Sequence, residues 1–333
     1  MKTSLIICTY MRPEPLLNLL QSVQKQTVYP DEILIIDGSL DDATSKIIAE
    51  NNFENLKYFY VAPEFRGLTK QRNFGIAAVD TTSEIIAFLD DDTELTSNYF
   101  EELTKTFSDN SAISGVGGVP INESSWSLIQ PNVKYKKHHY FQFEGYVIKE
   151  AQRNIFRNYL GLQSHLGPGK MPDYSHGKTC GFPLSGKIYE VDLLVGMSFA
   201  FRKSVFNHIR FSTFFEGYGL YEDADFSIRA QQFGMNVMNT KLQLYHFHNP
   251  SGRPNQYKYG KMVVRNGWYV WRIKNPKPSM KAKIKWNLIT ILLTIIRFSN
   301  TFTTTNRKAA FTEALGRTVG WWSLVVNKPR EKQ

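Results

Sequence analysis

The chain reads as an α/β protein, a mostly parallel sheet with helices on both faces, followed by a basic helical extension. Three observations predict this. Short apolar runs alternate with amphipathic stretches through the first 120 positions, the rhythm of strand, crossover helix, strand. One such run, Ala87-Phe88-Leu89, empties into Asp90-Asp91-Asp92, and in an open α/β sheet ligands sit beyond the carboxyl ends of the strands. Charge is divided unevenly: from Ser251 onward 17 Lys and Arg stand against 2 Glu, a net +15, so the whole-chain +10 leaves −5 over the first 250 residues.

Taken in order, Ser4 to Cys8 is the first strand. Its Leu5-Ile6-Ile7 run is too short for a signal peptide and ends in Thr9-Tyr10-Met11-Arg12-Pro13 without a small-residue cleavage site. A leucine-rich helix, Pro15 to Gln26, follows. The strand Glu32 to Ile36, the helix Asp42 to Asn51 with Asp41 or Asp42 as N-cap, the strand Leu56 to Val61 and the helix Thr69 to Val79 continue the alternation. Next come the strand Glu84 to Leu89, the helix Ser97 to Ser108 capped by Thr96 or Ser97, and the strand Ile113 to Val119. Pro120 to Glu190 breaks the rhythm with aromatic and basic residues, His138-His139 and the turn-rich Gly167-Pro168-Gly169, an insertion that could house an acceptor site. Beyond it, Phe226, Ile228 and Ala230 lead to Phe233-Gly234, a helix closed by glycine with Glu222 and Asp223 in its first turn. Short strands at Asn236 to Met238 and Lys241 to Tyr245 precede His246-Phe247-His248.

With 333 residues, 42% of them hydrophobic, the chain can bury one large core or two smaller ones. The expected division is a catalytic domain at 1–250, with a nucleotide-binding half at 1–119 and an acceptor half at 120–250, and an extension at 251–333. Cys8 and Cys180 are too few for a disulfide framework, which fits the reducing cytosol, and Cys8 reads as a small buried thiol.

Adjacent carboxylates repel and raise one another's pKa, so Asp90 to Asp92 fit either a bound divalent cation or a solvated acidic turn. Glu222 and Asp223 fit ordinary complementation of a helix dipole or the second half of a catalytic site. A histidine just past a strand end, His246 or His248, is either a structural group or the ligand that completes a carboxylate-held cation. In the extension, Lys283, Asn287, Thr290, Thr294, Arg297 and Thr301 recur at helical spacing, a narrow polar stripe on a helix whose remainder runs from Trp286 to Phe298 in apolar residues. The uninterrupted apolar core is shorter than the roughly 20 residues that cross a bilayer. A helix lying in the membrane interface fits, with Lys281, Lys283, Lys285 and Arg297 facing anionic headgroups, as does one packed on the protein.

Several segments stand in a telling order: Ser4 to Pro13, Ile35-Ile36-Asp37-Gly38-Ser39, Arg66-Gly67-Leu68 to Arg72-Asn73-Phe74-Gly75-Ile76, Phe88 to Asp92, Gly196 to Phe201-Arg202-Lys203, and Glu222-Asp223. Through them the chain resembles the family 2 inverting nucleotide-sugar glycosyltransferases of the GT-A fold, over about residues 1–270. The resemblance implies that Asp37 reads the donor's base, although the family's two-acid form is shortened here to Asp37-Gly38-Ser39. It implies that Thr9, Tyr10 and Arg12 line the nucleotide pocket, that Arg66, Lys70, Arg72 and Asn73 contribute to donor binding, and that Asp90 and Asp91 hold the donor. Asp92 would bind Mn²⁺ or Mg²⁺ with His246, or with His248 as substitute, and Asp223 would be the catalytic base with Glu222 beside it. Arg265-Asn266-Gly267-Trp268 and Trp271-Arg272 resemble the Arg-Asn segment of single-transfer members, implying non-processive transfer. The implied partners are a nucleotide-diphosphate sugar of UDP, dTDP or GDP type and a glycan or lipid-linked saccharide acceptor, while the basic amphipathic helix of the extension points to the inner face of the cytoplasmic membrane. A nucleotidyltransferase would be expected to carry a glycine-rich phosphate loop after the first strand, where Tyr10-Met11-Arg12-Pro13-Glu14-Pro15 stands. Nucleic-acid binding by the basic tail, with Trp268, Tyr269, Trp271 and Trp286, is the other alternative, one that an apolar central helix suits poorly.

Overall fold

Runs rich in Ile, Leu, Val and Phe form strands where their alternation predicts them. The computed structural model describes residues 1–178, 180–215, 217–248 and 254–329. Along the chain, β1 spans Thr3–Thr9, α1 Pro13–Gln24, β2 Glu32–Asp37, α2 Ala43–Glu50, β3 Leu56–Tyr60, α3 Leu68–Ala78, β4 Ile85–Asp90, β5 Thr93–Leu95, α4 Tyr99–Asp109 and β6 Ile113–Pro120. Three short strands, β7 Ser127–Leu128, β8 Tyr140–Phe143 and β9 Tyr146–Lys149, lead to α5 Gln152–Tyr159. Then come β10 Ile188–Val191, β11 Ser198–Arg202, α6 Glu222–Ala230 and β12 Met235–His246, and finally α7 Gln256–Lys274, α8 Met280–Thr303 and α9 Arg307–Val326.

Contacts divide the chain into two units: Met1–Ser124 with Leu184–Arg253, and Ser125–Pro183 with Pro254–Gln333. The segment 125–183 groups by contacts with the C-terminal helices. The expected boundary after residue 250 itself lies outside the described residues.

In the first unit the strand order is β10-β12-β6-β11-β4-β1-β2-β3, with β5 on β12. The β4-β1-β2-β3 portion is parallel, while β11 enters antiparallel between β4 and β6. Side chains alternate across the sheet. Leu5, Ile7, Ile33, Ile35 and Ala87 share one core with Leu16, Leu19 and Leu20 of α1 and Phe100, Leu103 and Phe107 of α4. On the opposite face Phe88, Phe199 and Phe201 stack with Phe206, Phe211 and, from α6, Phe226. Two local expectations are corrected. Asn98, not Thr96 or Ser97, stands at the N-cap position of α4, without a side-chain capping hydrogen bond, and Thr96 Oγ1 lies 2.9 Å from Gln243 O. The two short strands expected near residues 236 and 245 are one, β12, whose pairing with β6 shifts register between Met238 and Gln243 and so breaks the sequence alternation.

The second unit holds the β7-β9-β8 sheet, α5 and three long helices. Helices α7 and α9 cross very closely: a Cβ on Gly260 would lie 2.1 Å from Glu313 O, and one on Gly316 2.1 Å from Tyr257 O. Arg265 reaches Ser323 Oγ at 2.6 Å and Asn327 O at 2.8 Å, and Trp271 stacks on Trp286, so this segment ties the helices together. The polar stripe of α8 turns partly inward. Asn287 accepts from Trp321 Nε1 at 2.8 Å, and Arg297 pairs with buried Glu313 at 2.6 Å, which corrects the expectation that Arg297 faces headgroups. Left exposed is the apolar side: Ile284, Leu288, Ile291, Ile295, Phe298 and Phe302. Among the described residues no helix is long and apolar enough to cross a membrane.

Candidate active site

Parallel pairing brings the ends of three strands side by side, with Thr9 opposite Asp37 and Cys8 opposite Asp90. The acidic run after β4 therefore opens where β1 and β2 also end. Within it the three aspartates have separate surroundings. Asp91, 4% exposed, accepts from Thr9 Oγ1 at 2.8 Å and from Arg12 at 2.9 Å, so it fastens the loop after β1. Asp92 lies 3.5 Å from the same guanidinium and 3.5 Å from His246 Nε2. Asp90 is the most open of the three, and its Oδ1 lies 3.4 Å from Arg72.

Arg72, rising from α3, joins the two acidic clusters. It is 2% exposed, pairs with Glu222 through one terminal nitrogen, and through the other reaches both Asp90 and, at 3.0 Å, Gly196 O. Rings of Phe199, Phe211 and Phe88 lie 4.8, 5.2 and 5.7 Å from its guanidinium carbon. Gly196 answers on the other side, its N–H donating to Asp223 Oδ2 at 3.0 Å, while Ala224 N–H donates to Asp223 Oδ1 at 2.8 Å. Position 196 is tight: a Cβ there would meet Glu222 Oε1 at 3.0 Å, so a side chain would press on that carboxylate. Tyr221, which precedes α6, holds a left-handed backbone (φ 71°), a conformation costly for a side chain this large and one that sets where Glu222 and Asp223 start the helix.

Burial dominates the electrostatics. Desolvation raises the Glu222 carboxyl, opposed by the Arg72 guanidinium, and its Oε2 is buried without a hydrogen-bond partner among the described residues. Desolvation likewise raises Asp90 to about 6, opposed by Arg72 and reinforced by Asp92, and Asp91 to about 6, opposed by Arg12. Burial alone would lower the His246 imidazole, but the Asp92 and Glu123 carboxylates outweigh it and raise it. The Cys8 thiol is driven up to about 12, the behaviour of an inert buried thiol.

One ligand atom from each of Asp90, Asp92 and His246 can be chosen so that all lie within 4.8 Å of one another, and Glu123, His246 and His248 form a second such group. Asn122 clamps the end of β12, donating to His246 O at 2.8 Å and accepting from His246 N at 3.1 Å. Glu123 then binds His246 Nδ1 at 2.8 Å and His248 Nε2 at 2.9 Å. With Nδ1 engaged, His246 presents Nε2 toward Asp92, the arrangement by which a carboxylate orients a metal-ligating imidazole. Two carboxylates and an imidazole, with burial already penalising their negative charge, fit a divalent cation.

The remaining expected donor residues are more dispersed. Asp37 is fully buried, accepting from Tyr58 OH at 2.7 Å and Ser39 N–H at 2.8 Å. Asn73 bonds both the N–H and C=O of Phe211, a structural clamp. Arg66 lies over the Tyr60 ring, Lys70 is half-buried on α3, and Tyr10 is exposed. Asn122, Glu123 and Gly196 complete the cluster without having been singled out as site residues; Asn122 and Glu123 fall just after a strand ending in the insertion, where no pattern marks them.

Residues 4–165 match the family described as glycosyl transferase family 2. The chain is 24% identical over 251 residues to EpsH of Bacillus subtilis (strain 168), 73% of this chain and 60% of that one. It is 27% identical over 135 residues to the glucosyl-dolichyl phosphate glucuronosyltransferase of Haloferax volcanii (39% and 41%). With the O-antigen chain rhamnosyltransferase RfbN of Salmonella typhimurium it shares 30% over 110 residues (33% and 34%). The matches therefore span less than two thirds of these relatives. Among solved structures, the mannosyltransferase PcManGT from Pyrobaculum calidifontis, in complex with GDP-Man and Mn²⁺, aligns with a TM-score of 0.51 at 12% identity, covering 99% of this chain and 76% of that one. Over residues 4–165 the chain is thus similar to glycosyl transferase family 2, and its fold is of the GT-A type.

Proposed function

We propose that the chain transfers one sugar from a nucleotide-diphosphate sugar to a hydroxyl of a glycan or lipid-linked acceptor, with inversion at the anomeric carbon. The observation that carries the reading is the Arg72 bridge, which draws Asp90 and the Glu222-Asp223 pair into one site. Asp90, Asp92 and His246 would hold Mn²⁺ or Mg²⁺, whose Lewis acidity would offset charge on the departing diphosphate. Arg12, already between Asp91 and Asp92, lies where it can add positive charge to a nucleotide at the end of β1. Asp223, fixed by two backbone N–H groups and half-exposed, is the base that takes the acceptor hydroxyl's proton as the oxygen attacks. Glu222 is buried against Arg72 and holds that guanidinium in place. The relatives' names support sugar transfer, and the Mn²⁺ and GDP-Man of the structural neighbour support the cation and donor class.

A thermal-shift screen of UDP-, dTDP- and GDP-sugars with and without Mn²⁺ tests the reading: one donor should raise the melting temperature only with the metal. No shift with any donor, or shifts indifferent to metal, would count against it.

The proposal extends to location. The exposed ridge of Ile284, Leu288, Ile291, Ile295, Phe298 and Phe302 recurs at helical spacing along α8, with Phe311, Leu315 and Trp322 exposed on α9. Lys281 lies on the same side of α8, and Arg307 and Lys308 start α9, so the face suits the anionic cytoplasmic leaflet. Flotation with anionic but not zwitterionic vesicles is expected, lost in Leu288→Glu/Ile295→Glu; equal binding by that variant would refute lipid contact.

A further inference from the structure

Beside Asp90, Asp92 and His246 stands a second group of different chemistry, assembled from the turn after β6 and the end of β12. Glu123 Oε1 lies 2.8 Å from His246 Nδ1 and 2.9 Å from His248 Nε2, and the centres of the two imidazole rings are 4.0 Å apart. Backbone contacts hold these residues together without an ion: Asn122 bonds both the N–H and the C=O of His246, and Phe247 N–H donates to Asp92 O at 3.0 Å. Ligand atoms on a tetrahedral Zn²⁺, each about 2.0–2.1 Å from the metal, lie about 3.3 Å from one another, so the two contacts to Glu123 need to open by only about 0.5 Å to admit one. The side chains of His248 and Glu123 are 55% and 38% exposed, which leaves a solvent-facing side for entry and for a water as fourth ligand. Two imidazole nitrogens and one carboxylate oxygen suit Zn²⁺, whereas the two carboxylates and one imidazole of the neighbouring group suit a harder cation such as Mn²⁺.

His246 belongs to both groups, and a neutral imidazole has an available lone pair on only one ring nitrogen. With Nε2 on a cation held by Asp90 and Asp92, the ring proton sits on Nδ1 and is donated to Glu123. With Nδ1 on Zn²⁺, the proton passes to Nε2, which then points an N–H toward Asp92 Oδ1, 3.5 Å away, and ligates nothing. We propose that Glu123, His246 and His248 form a Zn²⁺ site that competes for one imidazole with the cation site of Asp90, Asp92 and His246. Zn²⁺ binding stands on these three residues alone; that its occupation inhibits sugar transfer rests on the transfer reading above.

The test titrates the full chain, free of any histidine tag, with Zn²⁺ by calorimetry and with Mn²⁺ by electron paramagnetic resonance, the latter with and without saturating Zn²⁺. The parent should bind Zn²⁺, and His248→Gln, a change at an exposed position, should weaken that binding at least about ten-fold. His138→Gln/His139→Gln, the control for histidines elsewhere, should leave it unchanged. Zn²⁺ should weaken Mn²⁺ binding at least about ten-fold in the parent, and far less in His248→Gln at the same Zn²⁺ concentration. Zn²⁺ affinity unaltered in His248→Gln, or Mn²⁺ and Zn²⁺ bound together without mutual weakening, would overturn the proposal. So would displacement of Mn²⁺ as readily from His248→Gln as from the parent, which would put Zn²⁺ on Asp90 and Asp92 instead. The predicted competition in a chain that binds no nucleotide-sugar would sink the transfer reading and leave the Zn²⁺ site standing.

Discussion

Arg72 is the residue whose removal has the most calculable consequence. Arg72→Met keeps an apolar stem among Phe88, Phe199 and Phe211 but deletes the bond to Gly196 O at 3.0 Å, the pair with Glu222 and the ring contact at 4.8 Å. Two charge-assisted bonds contribute roughly 1.5–3 kcal/mol each and a cation–π contact roughly 0.5–2 kcal/mol, and breaking a buried ion pair from one side costs about 3–5 kcal/mol. The predicted loss is therefore about 3–5 kcal/mol. Glu222→Gln leaves Arg72 an amide oxygen plus Asp90 and Gly196, so about 1–2 kcal/mol is expected. In the double variant no carboxyl is stranded at position 222, and the two costs should fall short of additivity by at least ~1 kcal/mol. All six tryptophans lie in the second unit, so fluorescence would report the wrong region. Urea unfolding followed by far-ultraviolet circular dichroism is the suitable assay. A loss under ~1 kcal/mol for Arg72→Met, or strict additivity in the cycle, would refute the bridge as a shared buried pair.

Other perturbations reach other parts of the molecule. Burial lowers the His176 imidazole from 6.5 to about 4. Between those values the unfolded chain binds a proton that the folded chain refuses, so stability should fall with pH across that window by up to about 3 kcal/mol, read by tryptophan fluorescence. His176→Asn should flatten the dependence; an unchanged slope contradicts the assignment. Gly260→Ala places a methyl against Glu313 O and should lower the melting temperature through a loss of at least about 1–3 kcal/mol, whereas tolerance would mean that the α7–α9 crossing relaxes freely. Mn²⁺ titration followed by electron paramagnetic resonance should show Glu123→Gln weakening binding roughly 10- to 100-fold through the misoriented His246. The exposed His248, changed to Gln, should matter less, and the reverse ranking would move the metal to the other histidine.

Most of the first unit was readable because each strand buries both faces or alternates cleanly, and because Pro, Asp and Gly punctuate the turns. The acidic run after β4 and the Glu222-Asp223 pair were legible for the same reason, since clustered carboxylates next to buried strands are conspicuous. Pairing across the sheet is less visible. Asn122 and Glu123 look like ordinary turn residues until β12 returns beside β6 and sets His246 against them. The α8 stripe shows the converse: periodicity identified an amphipathic helix correctly, yet could not say that Asn287 and Arg297 would face Trp321 and Glu313 while the apolar side stayed open.

Asp223→Asn, measured for donor binding and for turnover in the same preparation, tests the one-site account most directly. Mn²⁺-dependent nucleotide-sugar affinity should stay within about three-fold of the parent, while transfer to acceptor falls by roughly 10²- to 10⁴-fold, the loss of a general base. Turnover retained at the parental level, or donor binding lost along with it, would contradict the assignment of proton removal to Asp223.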